Sequence, residues 1–196
     1  MPLPDLVKLR ASLATRITNP IIEGVSRSGI NPDTLTLTGL ALNIGAAYVI
    51  ATGHFLPGGL LVLVAGLCDL LDGALARFIN QTSKFGALFD SVADRVSEAA
   101  LFFGLLVWYV LGGSAMGVML AFAALIGSFL VSYVRARAEG LGLECKVGLF
   151  TRAERVIVLT LGLVVNQVTI ALWVVVVFAY ITVIQRVVYL RQQTRK

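Results

Sequence analysis

Apolar residues along this chain come in runs of about twenty, and polar positions gather mainly at the ends of the runs. A bilayer's hydrocarbon core is about 30 Å thick and takes roughly 20 apolar residues of helix to cross. The pattern therefore predicts six spanning helices, over Leu35–Gly53, Leu56–Arg77, Gly86–Leu111, Ala115–Val134, Arg155–Val165 with its flanks, and Thr169–Leu190. The fifth is short and closes at an Asn166–Gln167 turn. His54 through Gly59 and Gly112–Ser114 are predicted as tight turns, each marked by glycine or proline. The first thirty residues differ. Leu6, Leu13, Ile17, Ile21 and Val25 recur at roughly helical spacing, with Lys8, Arg10 and Arg16 between them. They form no continuous apolar stretch, so the segment does not read as a signal peptide. It reads as an interfacial amphipathic helix, bent or broken near Pro20, with a partner-binding helix as the alternative. The fold expected is an all-α integral membrane protein. Residues 1–32 would supply the interfacial helix and 33–196 a six-helix transmembrane catalytic domain.

Composition strengthens this picture. Hydrophobic residues make up 58% of the chain and charged residues 14%, with a mean hydropathy of +0.88. Soluble domains carry roughly a quarter charged residues, so a soluble globule is excluded along with disorder. The net charge of +5 then points to a membrane surface rather than to nucleic acid. In a six-span arrangement every lysine and arginine lies toward one side, and the opposite turns carry only His54. The positive-inside rule puts that side, both termini and the polar residues near it in the cytoplasm, with the chain multi-pass in the cell membrane. Cys68 and Cys145 are far apart, form no metal-like cluster with His54, and read as free thiols.

The acids are more informative. Asp69, Asp72, Asp90, Asp94 and Glu98 all fall inside or at the ends of the second and third spans. Asp69 would lie about 20 Å along its helix at 1.5 Å per residue, where an ionised carboxylate is costly without partners. Asp69, Asp72, Gly73 and Ala76 share one helical stripe. Gly86, Asp90 and Asp94 share another, and a short connection lets the two face each other. Four clustered carboxylates with small neighbours invite divalent cations, and all-oxygen ligands suit Mg²⁺ or Mn²⁺. Pairing of the aspartates with Arg77 and Arg95 is the purely structural alternative.

The full pattern, Asp69-x2-Asp72-Gly73-x2-Ala76-Arg77-x8-Gly86-x3-Asp90-x3-Asp94, resembles the signature of the CDP-alcohol phosphatidyltransferase family at every defined position. The resemblance implies a homodimeric enzyme that moves a phosphatidyl group from CDP-diacylglycerol, or an ether-lipid analogue, to an alcohol and releases CMP. It implies two Mg²⁺ (or Mn²⁺) ions held by Asp69, Asp72, Asp90 and Asp94, with Asp94 as the base that deprotonates the acceptor. It also implies CDP-lipid contacts from Gly73, Arg77 and Ser83. The stretch Asn31-Pro32-Asp33-Thr34-Leu35-Thr36 resembles the family's lead-in to the first span, so Pro32, Asp33, Thr34 and Leu35 join that set. The same stretch also reads as a helix cap made by Asp33 or Thr34.

A second constellation follows the fourth span. Ser132, Arg135 and Glu139 fall on one helical face, and Lys146, Arg152 and Arg155 follow. Such a cluster can bind a phosphorylated acceptor through guanidinium forks, or it can simply anchor the chain on anionic lipid headgroups. The segments around Ser132–Glu139 and Arg152–Arg155 resemble the branch of the family that makes phosphatidylinositol phosphate, or its archaeal archaetidylinositol-phosphate counterpart. That resemblance implies inositol phosphate as acceptor, on Ser132, Arg135, Arg152 and Arg155. Glycerol-3-phosphate, and so a phosphatidylglycerophosphate synthase, is the alternative. Intramembrane aromatic prenyltransferases are longer and lack this glycine and aspartate spacing. A cation channel or transporter is the non-enzyme alternative, although no internal repeat is visible. Gly112, Gly113 and Gly117 could support close helix contact without singling out a dimer interface.

Overall fold

The computed structural model describes residues 22–24, 26, 31–79 and 83–195. The amphipathic segment anticipated before residue 22 lies outside them; of its last residues, 22–24 and 26 are helical. From residue 31 onward six helices follow: α1 (Pro32–Ala51), α2 (Phe55–Phe78), α3 (Lys84–Leu111), α4 (Ala115–Glu139), α5 (Arg152–Val164) and α6 (Val168–Gln193). No strand occurs among the described residues. All six anticipated apolar runs are helical.

Local chemistry sets the boundaries. Pro32 opens α1 at a position where a missing N–H costs nothing. Asn31 is the N-cap and makes no side-chain cap bond, so a helix cap by Asp33 or Thr34 is not what starts α1. The turn anticipated over His54–Gly59 is shorter. Thr52–His54 make the reversal, with Gly53 at φ +84°, and α2 starts at Phe55. Pro57 fits in its first turn for the same reason as Pro32. Gly58 and Gly59 are packing positions instead, against Ile50 of α1 and Leu163 and Val164 of α5. Gly117 is likewise used inside the chain, where the Tyr109 ring lies on it.

The helices form a ring. α1 packs on α2 and α3, α3 on α4, α4 on α6, α6 on α5, and α5 closes back on α2. The two aspartate-bearing helices, α2 and α3, are thus separated by α1 on one side and face each other across the interior. At one end that interior is a packed apolar core including Ile50, Phe55, Leu101, Phe102, Leu105, Leu163 and Leu172. Toward the other end it turns polar, with Thr36, Asn43, Asp72, Ser97, Glu98, Arg155 and Arg186 buried.

The outer face is apolar. Leu37, Tyr48, Leu67, Leu70, Phe103, Leu111 and Ile184 are all exposed large hydrophobic residues, an arrangement suited to lipid and unsuited to water. Four helices, α1, α2, α4 and α6, are long and apolar enough to cross a membrane. The two that fall outside that description carry much of the polar interior. α3 is interrupted by Asp90, Asp94, Arg95 and Glu98, and α5 has 13 residues, about 20 Å of helix. The backbone leading into α5 is fastened to α6. The Phe150 N–H donates to Thr182 Oγ1 (3.1 Å), the Leu149 N–H to Gln185 Oε1 (3.3 Å), and Arg186 Nε to the Val147 carbonyl (3.0 Å). Non-helical backbone is tolerated at depth when its polar groups are satisfied by protein in this way.

Candidate active site

Two cavities open at the polar end of the ring. The first, of about 490 Å³, lies between the starts of α1 and α3 and the end of α2. Asn31, Pro32, Asp33 and Thr36 form one wall; Asp72, Gly73, Ala76 and Arg77 a second; Ser83, Gly86, Ala87 and Asp90 a third. Of the residues expected to contact a CDP-lipid, Pro32, Asp33, Gly73, Arg77 and Ser83 therefore share one chamber. Thr34 and Leu35 do not line it: Thr34 is exposed and its carbonyl accepts from the Thr38 hydroxyl at 2.7 Å. Ser83 caps α3, accepting from the Gly86 N–H at 2.8 Å. Helix α3 thus begins at the cavity wall, where its positive dipole end favours anions. Three aspartates against one arginine leave the chamber's own lining anionic.

The second cavity, of about 500 Å³, lies between α3, α4, α5 and α6. It contains all four residues anticipated for an acceptor phosphate, Ser132, Arg135, Arg152 and Arg155. Asp94 also lines it. Five arginines, at 95, 135, 152, 155 and 186, stand against Asp94, Glu98 and Glu139, so this chamber is cationic by two charges. The two cavities thus lie on either side of one aspartate row, with Asp90 on the first and Asp94, one helical turn on, on the second.

The aspartates' partners are not those of the purely structural alternative. Among the described residues neither Arg77 nor Arg95 forms an ion pair with the aspartates. Arg95 donates instead to the Ser91 carbonyl, one turn back on α3. Arg152, from the first position of α5, does: its Nη2 is 2.9 Å from Asp69 Oδ2 and its Nη1 is 2.8 Å from Asp94 Oδ1. Asp72 is buried and accepts from Thr36 Oγ1 at 2.6 Å. Arg155 donates from Nε and Nη2 to the two oxygens of Glu98, at 2.6 and 2.8 Å. Arg135 pairs with exposed Glu139 at 2.9 Å. Arg186 is buried and holds the Val131 and Val147 carbonyls.

Sequence reading passed over Thr36, Glu98 and Arg186 as site residues. Glu98 carried a usable signal, because it continues the i, i+4 series of Gly86, Asp90 and Asp94. Thr36 closes the Asn31–Thr36 lead-in without standing out in it, and Arg186 reaches the site from a helix with no local pattern to mark it.

The donor set fits a divalent cation. It is made of carboxylate oxygens, and Gly39 leaves room for one of them: a Cβ there would come within 2.6 Å of Asp69 Oδ1. As placed, no three acidic, histidine or cysteine side chains among the described residues converge on one point. Asp69 and Asp94 are drawn onto Arg152, and Asp72 onto Thr36, so gathering them on an ion requires Arg152 to release both carboxylates.

A ring of helices with a lipid-facing exterior, and acids set between an anionic and a cationic chamber, defines a membrane protein with a two-chamber polar site. Residues 30–185 match the family model described as CDP-alcohol phosphatidyltransferase. The chain belongs to that family and is an enzyme of that type. It is 38% identical over 180 residues to the phosphatidylinositol phosphate synthase of Mycobacteroides abscessus, covering 87% of this chain and 82% of that one. It is 34% identical over 186 residues to the archaetidylinositol phosphate synthase of Methanothermobacter thermautotrophicus, covering 92% and 91%. Among solved structures it resembles the Mycobacterium tuberculosis phosphatidylinositol phosphate synthase with CDP-DAG bound, with a TM-score of 0.80 and 33% identity over 88% of this chain and 92% of that one. The same enzyme in complex with manganese and citrate gives a TM-score of 0.81 at 32% identity, covering 87% of each chain.

Proposed function

We propose that this enzyme transfers the phosphatidyl group of CDP-diacylglycerol, or of an ether-lipid analogue, to inositol phosphate, giving phosphatidylinositol phosphate and CMP. The observation that carries this reading is the charge of the second cavity. A surplus of two positive charges complements a phosphate monoester dianion, whereas free inositol or serine would leave that surplus unmatched. The names and bound CDP-DAG of the relatives support the same pair of substrates.

The first cavity is assigned to the CDP end of the donor, with Pro32, Asp33, Gly73, Arg77 and Ser83 as its contacts and the acyl chains left in lipid. Asp69, Asp72, Asp90 and Asp94 are assigned as ligands for two divalent ions, Mg²⁺ or Mn²⁺. Such ions neutralise a diphosphate and stabilise charge on departing CMP. The anionic lining of that cavity supports this, because the diphosphate would otherwise face three aspartates with a single arginine to help.

Ser132, Arg135, Arg152 and Arg155 are assigned to the acceptor's phosphate, which orients its hydroxyl toward the aspartate row. Asp94 accepts the hydroxyl proton as the new oxygen–phosphorus bond forms at the β-phosphorus and the bond to CMP breaks. Lining the acceptor cavity beside Arg152 supports Asp94 in that role over Asp72, which lines the other chamber. Six spans, a cell-membrane location, cytoplasmic termini and a homodimer complete the reading. The one-sided distribution of lysine and arginine supports that orientation.

The test is release of CMP from CDP-diacylglycerol by purified protein with Mg²⁺, supplied in turn with inositol phosphate, glycerol-3-phosphate, inositol and serine. Release that is fastest with inositol phosphate is expected. Preference for glycerol-3-phosphate would make the enzyme a phosphatidylglycerophosphate synthase, and no release with any acceptor would sink the reading.

A further inference from the structure

Glu98 is one of the most deeply buried acids in the molecule, with 5% of its side chain exposed, and the transfer just described gives it no part. It lies on α3 one turn beyond Asp94, on the border between the polar end of the ring and the apolar core that starts at Leu101. Its two oxygens take Nε and Nη2 of Arg155 in a bidentate fork, at 2.6 and 2.8 Å, and Arg155 is itself only 1% exposed. The third guanidinium nitrogen, Nη1, is buried and has no hydrogen-bond partner among the described residues. Both residues line the cationic cavity.

Stability is a poor reason for this arrangement. A buried ion pair seldom improves on well-packed apolar side chains, and the next turns of α3 are filled by Leu101, Phe102 and Leu105. Geometry is a better one. A guanidinium is planar, so fixing two of its nitrogens fixes the direction of the third. Glu98 also cancels the charge of Arg155 locally, which lets the arginine stay buried with one nitrogen unpaired.

We propose that Glu98 is a positioning residue for the acceptor: it clamps Arg155 by two nitrogens and leaves the third for the acceptor's phosphate. The proposal rests on the reading of the second cavity as the acceptor site.

The experiment measures KM for inositol phosphate and for CDP-diacylglycerol, and binding of inositol phosphate by calorimetry, in Glu98→Gln, Glu98→Asp, Arg155→Gln and the double Glu98→Gln/Arg155→Gln variant. Glu98→Gln is expected to raise the inositol phosphate KM roughly tenfold or more, the size of one misdirected charge-assisted hydrogen bond, with the donor KM unchanged. Glu98→Asp keeps the charge and should recover part of the loss. Adding Glu98→Gln to Arg155→Gln should raise the acceptor KM no further, because the group being positioned is already gone. Equal effects on both KM values, or a Glu98→Gln effect that persists without Arg155, would overturn the proposal. If Glu98→Gln does not fold, Glu98→Asp decides alone: a raised acceptor KM with an unchanged donor KM supports the role, and an unchanged acceptor KM refutes it. A harmful Arg155→Gln beside a harmless Glu98→Gln sinks the role of Glu98 only. Wild-type protein that does not bind inositol phosphate, or an Arg155→Gln variant that binds it normally, sinks the cavity's assignment and this proposal with it.

Discussion

Asp90 and Asp94 stand one helical turn apart yet open onto different chambers, and single residues around them divide the work of the site. With Asp94 assigned as the base, Asp94→Asn should lower kcat by about 10²–10⁴-fold, the usual worth of a positioned general base, while CDP-lipid binding survives. Single-turnover CMP release beside equilibrium binding of the nucleotide lipid checks this, and normal turnover would remove the assignment. Gly39 gives a second residue-scale outcome. A methyl there would press on Asp69 Oδ1 at 2.6 Å, so Gly39→Ala should displace the carboxylate and weaken Mn²⁺ binding several-fold, read by electron paramagnetic resonance. Much of this scale was legible beforehand, because an aspartate inside an apolar run demands a compensating partner wherever it occurs. What the sequence hid was the identity of that partner. Arg77 and Arg95 are near the aspartates in sequence, but Arg152 reaches Asp69 from 83 positions away, and no local spacing reports such a contact.

At the scale of elements, α5 is the unusual one. It has 13 residues, and both of its site arginines sit in its first turn. That turn is fixed by Glu154, whose carboxylate accepts from the Thr151 N–H at 2.8 Å and from the Thr151 hydroxyl at 2.5 Å. Removing it with Glu154→Ala should destabilise the start of α5 by about 1 kcal/mol and raise the acceptor KM while sparing the donor KM. Thermal melts in detergent and steady-state kinetics check the two halves of that expectation. The six helices were readable from the apolar runs, since burial in lipid leaves a signal about twenty residues long. The start of α2 was misjudged because Pro57, Gly58 and Gly59 look like a turn. Proline in a first turn loses no hydrogen bond, and glycine at a helix contact gives close approach rather than a bend. The straps from Thr182, Gln185 and Arg186 to the backbone before α5 were not readable, because they join segments more than thirty residues apart.

At the scale of the whole molecule, the ring separates two kinds of interior along its axis, apolar at one end and charged at the other. Within the charged end it separates two signs. The sparse charges of the sequence are gathered where they act, with Asp69 of α2 and Asp94 of α3 meeting Arg152 of α5 across the ring. With the aspartates assigned to divalent ions, chelation by EDTA should abolish CMP release, and added Mg²⁺ or Mn²⁺ should restore it. Activity that survives chelation would contradict that assignment. The central claim is that each chamber serves one substrate. Its most direct test is to measure both KM values in two variants, Arg77→Ala in the first cavity and Arg155→Ala in the second. The account predicts a crossed result, in which Arg77→Ala raises the KM for CDP-diacylglycerol and Arg155→Ala raises the KM for inositol phosphate. Two variants that shift the same KM, or both KM values together, would contradict it.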